Sequence, residues 1–397
     1  MKPRNPTPAL LALSLGYFSL GTTSLAVVGL SAPIGAALNV RPATVGLLVT
    51  VFSLVFAVAA PLASVWLGQM CRKRVLLIGL ALMIVGGIGS ALAPSYGALC
   101  AARVLSGLGA AMFGPTASTA GSMIVPERDR PKALATVFAG MTAASVLGVP
   151  LSSTVGEALG WRWTVIGVVV LTALSLVLVA RLLPAIEPGP APTFQVFARV
   201  LRTPGALPAV STTLLVLTAQ FTVYGVAGAY LASRFAATAA TVSLILLAFG
   251  ALGVIGNMSG SRMHDRLGGS RTVTVTLAGM AVAFAALTVL PGSIAAAVIV
   301  FAFWGFSSSL FMAPQQARLV ELLPEQRGIL LALNATGIYL GMSLGSLIGS
   351  HYLSALGAGP LSLLALLPLA LAAGAHIVSV RRTTPTMTRT GEAVHVS

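Results

Sequence analysis

Acidic residues are scarce in this chain. Eight Asp and Glu stand against 23 Lys and Arg among 397 residues, and charged residues of both signs reach only 8%. Soluble domains are about one-quarter charged, so a water-soluble globule is excluded. Cysteine is almost absent too: Cys71 and Cys100 are the only two. The topology below puts them on opposite sides, and no zinc or redox spacing exists. The sequence also lacks a metal-ligand cluster, a G-x-x-x-x-G-K-S/T phosphate loop and a nucleophile with a His–acid pair. These absences exclude a recognisable enzyme, a resident cofactor and a directly ATP-driven pump. Strand-like alternation is missing, so a membrane barrel is excluded and helices must satisfy their own backbone.

What is present is apolar length. Hydrophobic residues make up 57% of the chain and the mean hydropathy is +0.97. About 20 apolar residues cross the hydrocarbon of a bilayer. Twelve such spans are expected at 9–34, 43–67, 75–94, 97–123, 132–156 and 163–184, then 206–231, 238–260, 272–291, 294–317, 328–354 and 359–380. A basic start followed by an apolar run is similar to a signal peptide, but the run is too long for an h-region.

The basic residues alternate. Nineteen of the 23 fall in loops on one side: Lys2, Arg4, Arg72, Lys73, Arg74, Arg128, Arg130, Lys132, Arg181, Arg199, Arg202, Arg262, Arg266, Arg271, Arg318, Arg327, Arg381, Arg382 and Arg389. The other side holds Arg41, Arg162 and Arg234, and Arg103 lies inside a span. The positive-inside rule then puts both termini in the cytoplasm. A net charge of +15 can indicate nucleic acid. Here the charges are scattered over seven segments without an aromatic-basic module, so topology and anionic headgroups account for them.

Residues 185–204, with Pro188, Pro190, Pro192 and Pro204, form the one sizeable connection. It divides the chain into an N-terminal bundle (1–184), a cytoplasmic linker (185–204), a C-terminal bundle (205–380) and a cytoplasmic tail (381–397). The turn G-Q-M-C-R-K-R at 68–74 finds an echo in S-R-M-H-D-R-L-G-G-S-R at 261–271. Two six-helix halves meeting at a midplane site are the plan of rocking transporters. Gly337, Gly341, Gly345 and Gly349 recur every fourth residue, a stripe suited to close helix contact. Gly140, Gly148 and Gly156 share one face of helix 5, which Pro150 bends.

Several segments resemble the major facilitator superfamily, and within it the twelve-span drug–proton antiporter branch. Arg103-Val-Leu-Ser-Gly107-Leu-Gly109-Ala-Ala resembles its R-x-x-x-G-x-G-A-A motif. The stretch 140–151, with Gly148 and Pro150, and then Gly156, is similar to its efflux-associated Gly-Pro motif. Asp265-Arg266-Leu267-Gly268, followed by Arg271, resembles the second copy of its loop motif, and 21–33 follows its helix 1 pattern. The resemblance implies export of a small drug-like compound or metabolite across a bacterial inner membrane by proton antiport, and a monomer working by alternating access. It also implies gating roles for Arg72, Arg74, Asp265, Arg266 and Gly268. The chain departs from that pattern at Ser24, where the branch often has Glu, at Phe52, often Tyr, and at Cys71, which replaces the loop Asp.

The acids themselves bear on coupling. Glu127, Asp129, Glu157, Glu187, Asp265, Glu321, Glu325 and Glu392 all sit at loops, helix ends or the tail. A proton-driven exchanger usually needs an intramembrane carboxylate raised by burial. His264, His351, His376 and His395 are also expected near span ends or in the tail. Arg103 lies about 9 Å below the non-cytoplasmic face at 1.5 Å per residue, and Ser24 at a similar depth. There it either snorkels outward or bonds to helix 1 backbone, or it attracts an anionic or strongly dipolar substrate. Cavity candidates are the polar and aromatic residues of apolar spans: Ser24, Phe52, Arg103, Gln220, Tyr224, Asn257, Trp304, Gln315, Asn334 and Tyr339, with Gln220 and Asn334 able instead to tie helices together. Alternatives to export are a facilitator or exchanger for a sugar, nucleoside or similar polar metabolite, and a non-transporting membrane sensor or scaffold.

Overall fold

The computed structural model describes residues 6–188, 193–289 and 292–383; Lys2, Arg4, Pro190, Pro192, Arg389, Glu392 and His395 lie outside them. Twelve helices are long and apolar enough to cross a membrane. They are helix 1 (Thr7–Gly29), helix 2 (Pro42–Trp66), helix 3 (Arg72–Leu92), helix 4 (Tyr96–Met123), helix 5 (Glu127–Ala158) and helix 6 (Trp161–Leu182), followed by helix 7 (Ala206–Tyr224), helix 8 (Ala239–Leu267), helix 9 (Gly269–Val289), helix 10 (Ile294–Leu322), helix 11 (Pro324–Leu356) and helix 12 (Leu361–Arg382). Two-thirds of the apolar window of helices 1 and 7 is buried, against 17% of helix 6 and 28% of helix 12. Helices 1 and 7 therefore line the middle, while helices 6 and 12 face outward.

Several helices depart from the uniform rods expected from apolarity, and each departure has a local cause. Helix 1 breaks at Leu30 and resumes as Ser31–Leu38. Helix 7 stops at Tyr224, and a separate helix runs Ala227–Phe235. At the break, a Cβ on Gly225 would stand 2.0 Å from Ser346 Oγ, so only glycine lets helix 11 approach. Helix 10 is interrupted after Ser309 and restarts at Met312, because Pro314 has no N–H to offer Leu310 O. Helix 5 carries a π-turn over Ala144–Gly148, just before Pro150, the usual response to a proline inside a ladder.

Two corrections concern the basic end. Asp265 and Arg266 lie in the last turn of helix 8 rather than in a turn; Gly268, at φ 81°, ends the helix. Apolarity reports where hydrocarbon stops, and the helix continues beyond it into water. The linker also holds a nine-residue helix, Phe194–Arg202, with Phe197 and Val200 buried and Arg199 and Arg202 in its last turn. A further repeat relates the halves. Pro126-Glu127-Arg128-Asp129-Arg130 and Pro324-Glu325-Gln326-Arg327 each form a short 3₁₀ turn that opens helix 5 and helix 11.

The core reveals how the halves sit. At the end away from the basic loops, one cluster joins residues of both halves, among them Val27, Ile34, Val45, Val49, Leu217, Tyr230, Ile245 and Phe301. Toward the basic end the core splits. Leu13, Phe56, Leu80, Phe113 and Val137 belong to one cluster, and Val200, Ala209, Leu319 and Leu330 to another. Hydrogen bonds between halves follow the same asymmetry. Ser350 Oγ donates to Ala43 O at 2.5 Å, Thr50 and Ser343 exchange hydroxyl-to-carbonyl bonds, and Ser243 Oγ donates to Pro150 O at 2.9 Å. The two lobes meet at the far end and part toward the basic loops.

Within the second lobe, the glycine stripe of helix 11 lies on helix 7. Cβ atoms on Gly341, Gly345 and Gly349 would stand 2.3, 2.4 and 2.1 Å from the carbonyl oxygens of Leu214, Thr218 and Thr222. Backbones this close gain dispersion and Cα–H···O contacts that no side chain would permit. Gly345→Ala should therefore cost about 1–3 kcal/mol through overpacking. Gly374→Ala, with nothing within 4 Å of its Cβ, should be neutral in thermal unfolding of the detergent-solubilised protein.

Candidate site between the two lobes

Arg103 is 4% exposed and enters the first lobe from helix 4. Its Nε donates to Leu48 O at 3.4 Å, one Nη to Thr23 O and the other to Ser24 O at 3.2 Å. The guanidinium also lies over the Phe52 ring, 4.8 Å from its centroid. One cation thus ties helices 1, 2 and 4 together through carbonyls. Ser24 takes part with its backbone, while its own hydroxyl is buried without a partner. Gly107 and Gly109 on the same helix permit the approach of Phe52 O and Gly79 O.

Around mid-depth the facing surfaces are aromatic. Phe56 of helix 2 stacks on Tyr339 of helix 11, ring centroids 3.6 Å apart, and so bridges the lobes. In the second lobe, Tyr224, Phe249 and Trp304 form a mutual cluster with centroids 4.8–6.2 Å apart, and Phe301 and Phe284 back Trp304. Trp304 is fully buried and Tyr224 nearly so, so these rings support the wall; Phe249 is the more open of the cluster at 8%. Gln220 is half-buried one turn before Tyr224. In the first lobe, Tyr17 donates to Gly114 O and packs against Phe138, which is 43% exposed. Asn257 is exposed. It lies two turns from Gly250, whose Cα faces Ser145 O of helix 5, so it occupies the lobe-facing side where the lobes have parted.

Gln315 and Asn334 do not reach this space. Gln315 donates to Ala209 O and Thr213 Oγ1, and Thr213 donates to Asn334 Oδ1 at 2.6 Å. Both amides stitch helices 7, 10 and 11. The stitching continues into Arg318, expected in a loop, and His376, expected near a span end. Arg318 donates to Gln315 Oε1, to His376 Nδ1 at 3.1 Å and to Ser379 Oγ, while His376 Nε2 faces Ser270 O. His376 is only 4% exposed. Its Nδ1 accepts from an arginine, so the ring is neutral and its proton sits on Nε2. No local signal marks this pair, because 58 residues separate the partners.

The gating candidates are dispersed. Gly148 backs onto Thr22 and Gly156 onto Leu30, seating helix 5 on helix 1, and Pro150 O receives Ser243 from the other lobe. Arg72 opens helix 3, its backbone N–H bonded to Ile186 O, and Arg74 is exposed. Asp265, Arg266 and Gly268 are exposed, and among the described residues Asp265 and Arg266 enter no ion pair. Arg103→Lys should lower stability by about 1.5–3 kcal/mol, since a compact ammonium reproduces neither the fork that reaches the Leu48, Thr23 and Ser24 carbonyls nor the stacking on Phe52. Thermal unfolding in detergent measures it.

The sequence profile of the Major Facilitator Superfamily matches residues 11–207 and again 209–395. The inner membrane transport protein YdhP of Escherichia coli (strain K12) is 31% identical over 350 residues, covering 87% of this chain and 89% of that protein. The uncharacterized MFS-type transporter YbcL of Bacillus subtilis (strain 168) is 28% identical over 341 residues, covering 86% and 87%. Among solved structures, a D-xylose–proton symporter superposes with a TM-score of 0.75 at 15% identity, covering 95% of this chain and 98% of that one. A POT family transporter, crystallised with 5-aminolevulinic acid, gives 0.79 at 12% identity, covering 96% and 97%. With two matched halves, twelve spans and lobes that meet at one end only, this chain is a membrane transporter, not an enzyme, and belongs to the Major Facilitator Superfamily.

Proposed function

We propose that this protein exports a small amphipathic compound, drug-like or metabolic, from the cytoplasm across the inner membrane by alternating access, in exchange for protons. The parted basic end carries the reading. With basic loops in the cytoplasm, the space between the lobes opens there, and Phe138, Tyr339 and Asn257 offer it rings and a few polar groups, Phe56 backing Tyr339 from behind. Apolar walls with sparse polar groups suit drug-sized ligands. The lobes 1–184 and 205–380 would rock about their contact, the π-turn of helix 5 and the break in helix 7 absorbing the bend. Asp265 and Arg266 would engage partners when the basic end closes.

The proton half of the exchange rests on resemblance to antiporters. Described carboxylates are exposed or half-exposed, so among them none is a buried proton carrier. That observation favours facilitated exchange of a polar metabolite as the second reading.

Proteoliposomes separate the two. Antiport gives substrate-dependent alkalinisation or acidification of the lumen that a protonophore abolishes, and uptake with no pH change selects the facilitator. Loss of all flux across a chemically diverse panel would defeat both.

Cys71 reports orientation. Slight burial pushes its thiol up, but the backbone N–H groups of Arg74 and Lys73, a contact with Ile186 and the Arg74 charge outweigh this and leave it below the ordinary thiol value. More thiolate at neutral pH means faster alkylation. In a Cys100→Ser background, a membrane-impermeant maleimide should label Cys71 in inside-out vesicles at pH 7 and leave it unmodified in right-side-out ones.

A further inference from the structure

Between helices 1, 3, 4 and 6 lies a cavity of about 40 Å³ within the first lobe, separate from the space between lobes. Arg103, Thr23, Ser90, Ser106, Trp161 and Thr172 supply its polar wall. A water molecule needs roughly 10–15 Å³ measured this way, whereas drug-sized ligands occupy about 300–1,000 Å³. The occupant is therefore an ion or a few waters, and the transported compound is excluded by size.

The wall offers hydrogens and positive charge without a compensating acid. A guanidinium has five N–H groups, and Arg103 commits three of them to Leu48, Thr23 and Ser24 carbonyls. The hydroxyls of Ser90 and Ser106 donate to their own helix, to Gly86 O and Ala102 O. Trp161, 3% exposed, has an indole N–H with no acceptor. Arg162 covers the Trp161 ring at 4.4 Å while donating to Ala91 O and Ala93 O, which adds a second positive charge beside the cavity. Among the described residues no Asp or Glu pairs with either arginine. A buried cation without a counter-charge is among the costliest groups in a fold, and hydrocarbon screens nothing.

We propose that this cavity is a halide site, in which chloride accepts the free Arg103 N–H groups and the Trp161 indole N–H and neutralises the lobe from within. A monatomic anion fits the volume, and its donors are the free Arg103 N–H groups and the Trp161 indole N–H; the Ser90, Ser106 and Thr172 hydroxyls, whose hydrogens go to helix carbonyls, supply none. Multi-carbon carboxylates and phosphate esters are too large for it.

The test follows thermal unfolding of the full chain in detergent, with sodium chloride exchanged for sodium gluconate at constant ionic strength. Chloride and bromide should raise the midpoint by a few degrees, saturably, and gluconate should not. Trp161→Phe removes one charge-assisted bond and should raise the half-saturating chloride concentration about tenfold. Trp163→Phe, at a side chain 61% exposed, should leave it unchanged. Equal midpoints in the two salts, or an undiminished chloride response in Trp161→Phe, would mean that the cavity holds water only. If that variant does not fold, crystals of the unaltered protein grown in bromide decide the matter: an anomalous peak within bonding distance of Arg103 supports the site, and its absence overturns it. Solute flux enters neither readout, so the result stands apart from the export reading.

Discussion

Hydrocarbon offers no hydrogen-bond partners, so polar groups in these helices need them from within the protein, and a few, such as the Ser24 hydroxyl and the Trp161 indole N–H, are left over among the described residues. Small hydroxyls meet the requirement locally. Ser90, Ser106, Thr172, Thr212, Thr218 and Thr222 each donate to the carbonyl four residues back, which leaves helix surfaces smooth enough to pack closely. Larger groups meet it across helices. Arg103 spans three helices through carbonyls, and the chain Asn334–Thr213–Gln315–Arg318–His376 spans most of the second lobe. Each lobe is thereby stiffened by bonds that do not cross to the other.

Bonds that do cross are weaker and confined to one end. Most are hydroxyl-to-carbonyl contacts such as Ser350 to Ala43 and Ser243 to Pro150, joined by Arg41 donating to Ser354 O and supported by a shared apolar cluster. Each such bond contributes about 1 kcal/mol, small enough to exchange for others when the lobes tilt. Strong connections within lobes and modest ones between them are what a rocking mechanism needs.

The spans and the Gly stripe of helix 11 were legible in the sequence because each is a local pattern: apolar length and a four-residue period. Side chains meeting over long separations were not. Arg318 read as a loop residue and His376 as lying near a span end, because apolar length ends near them, yet both turn inward onto one another. Arg103 stood out as the charge inside a span, and depth alone brought it level with Ser24; its acceptors, being carbonyls, leave no mark in a sequence. Helix 8 outlasts its apolar run for a related reason, since water ends hydrophobicity before it ends helix.

The central claim is that contact at the far end and separation at the basic end are two faces of one motion. In a chain with Cys71 and Cys100 replaced by serine, a disulfide between Ala43→Cys and Ser350→Cys would hold the far end shut. Spin labels at Trp66 and Arg327 then report the basic end by electron–electron distance in lipid bilayers. Closing the disulfide should collapse that distribution onto its long component, and reduction should restore the short one. A short component that persists with the disulfide closed would mean that the two ends move independently.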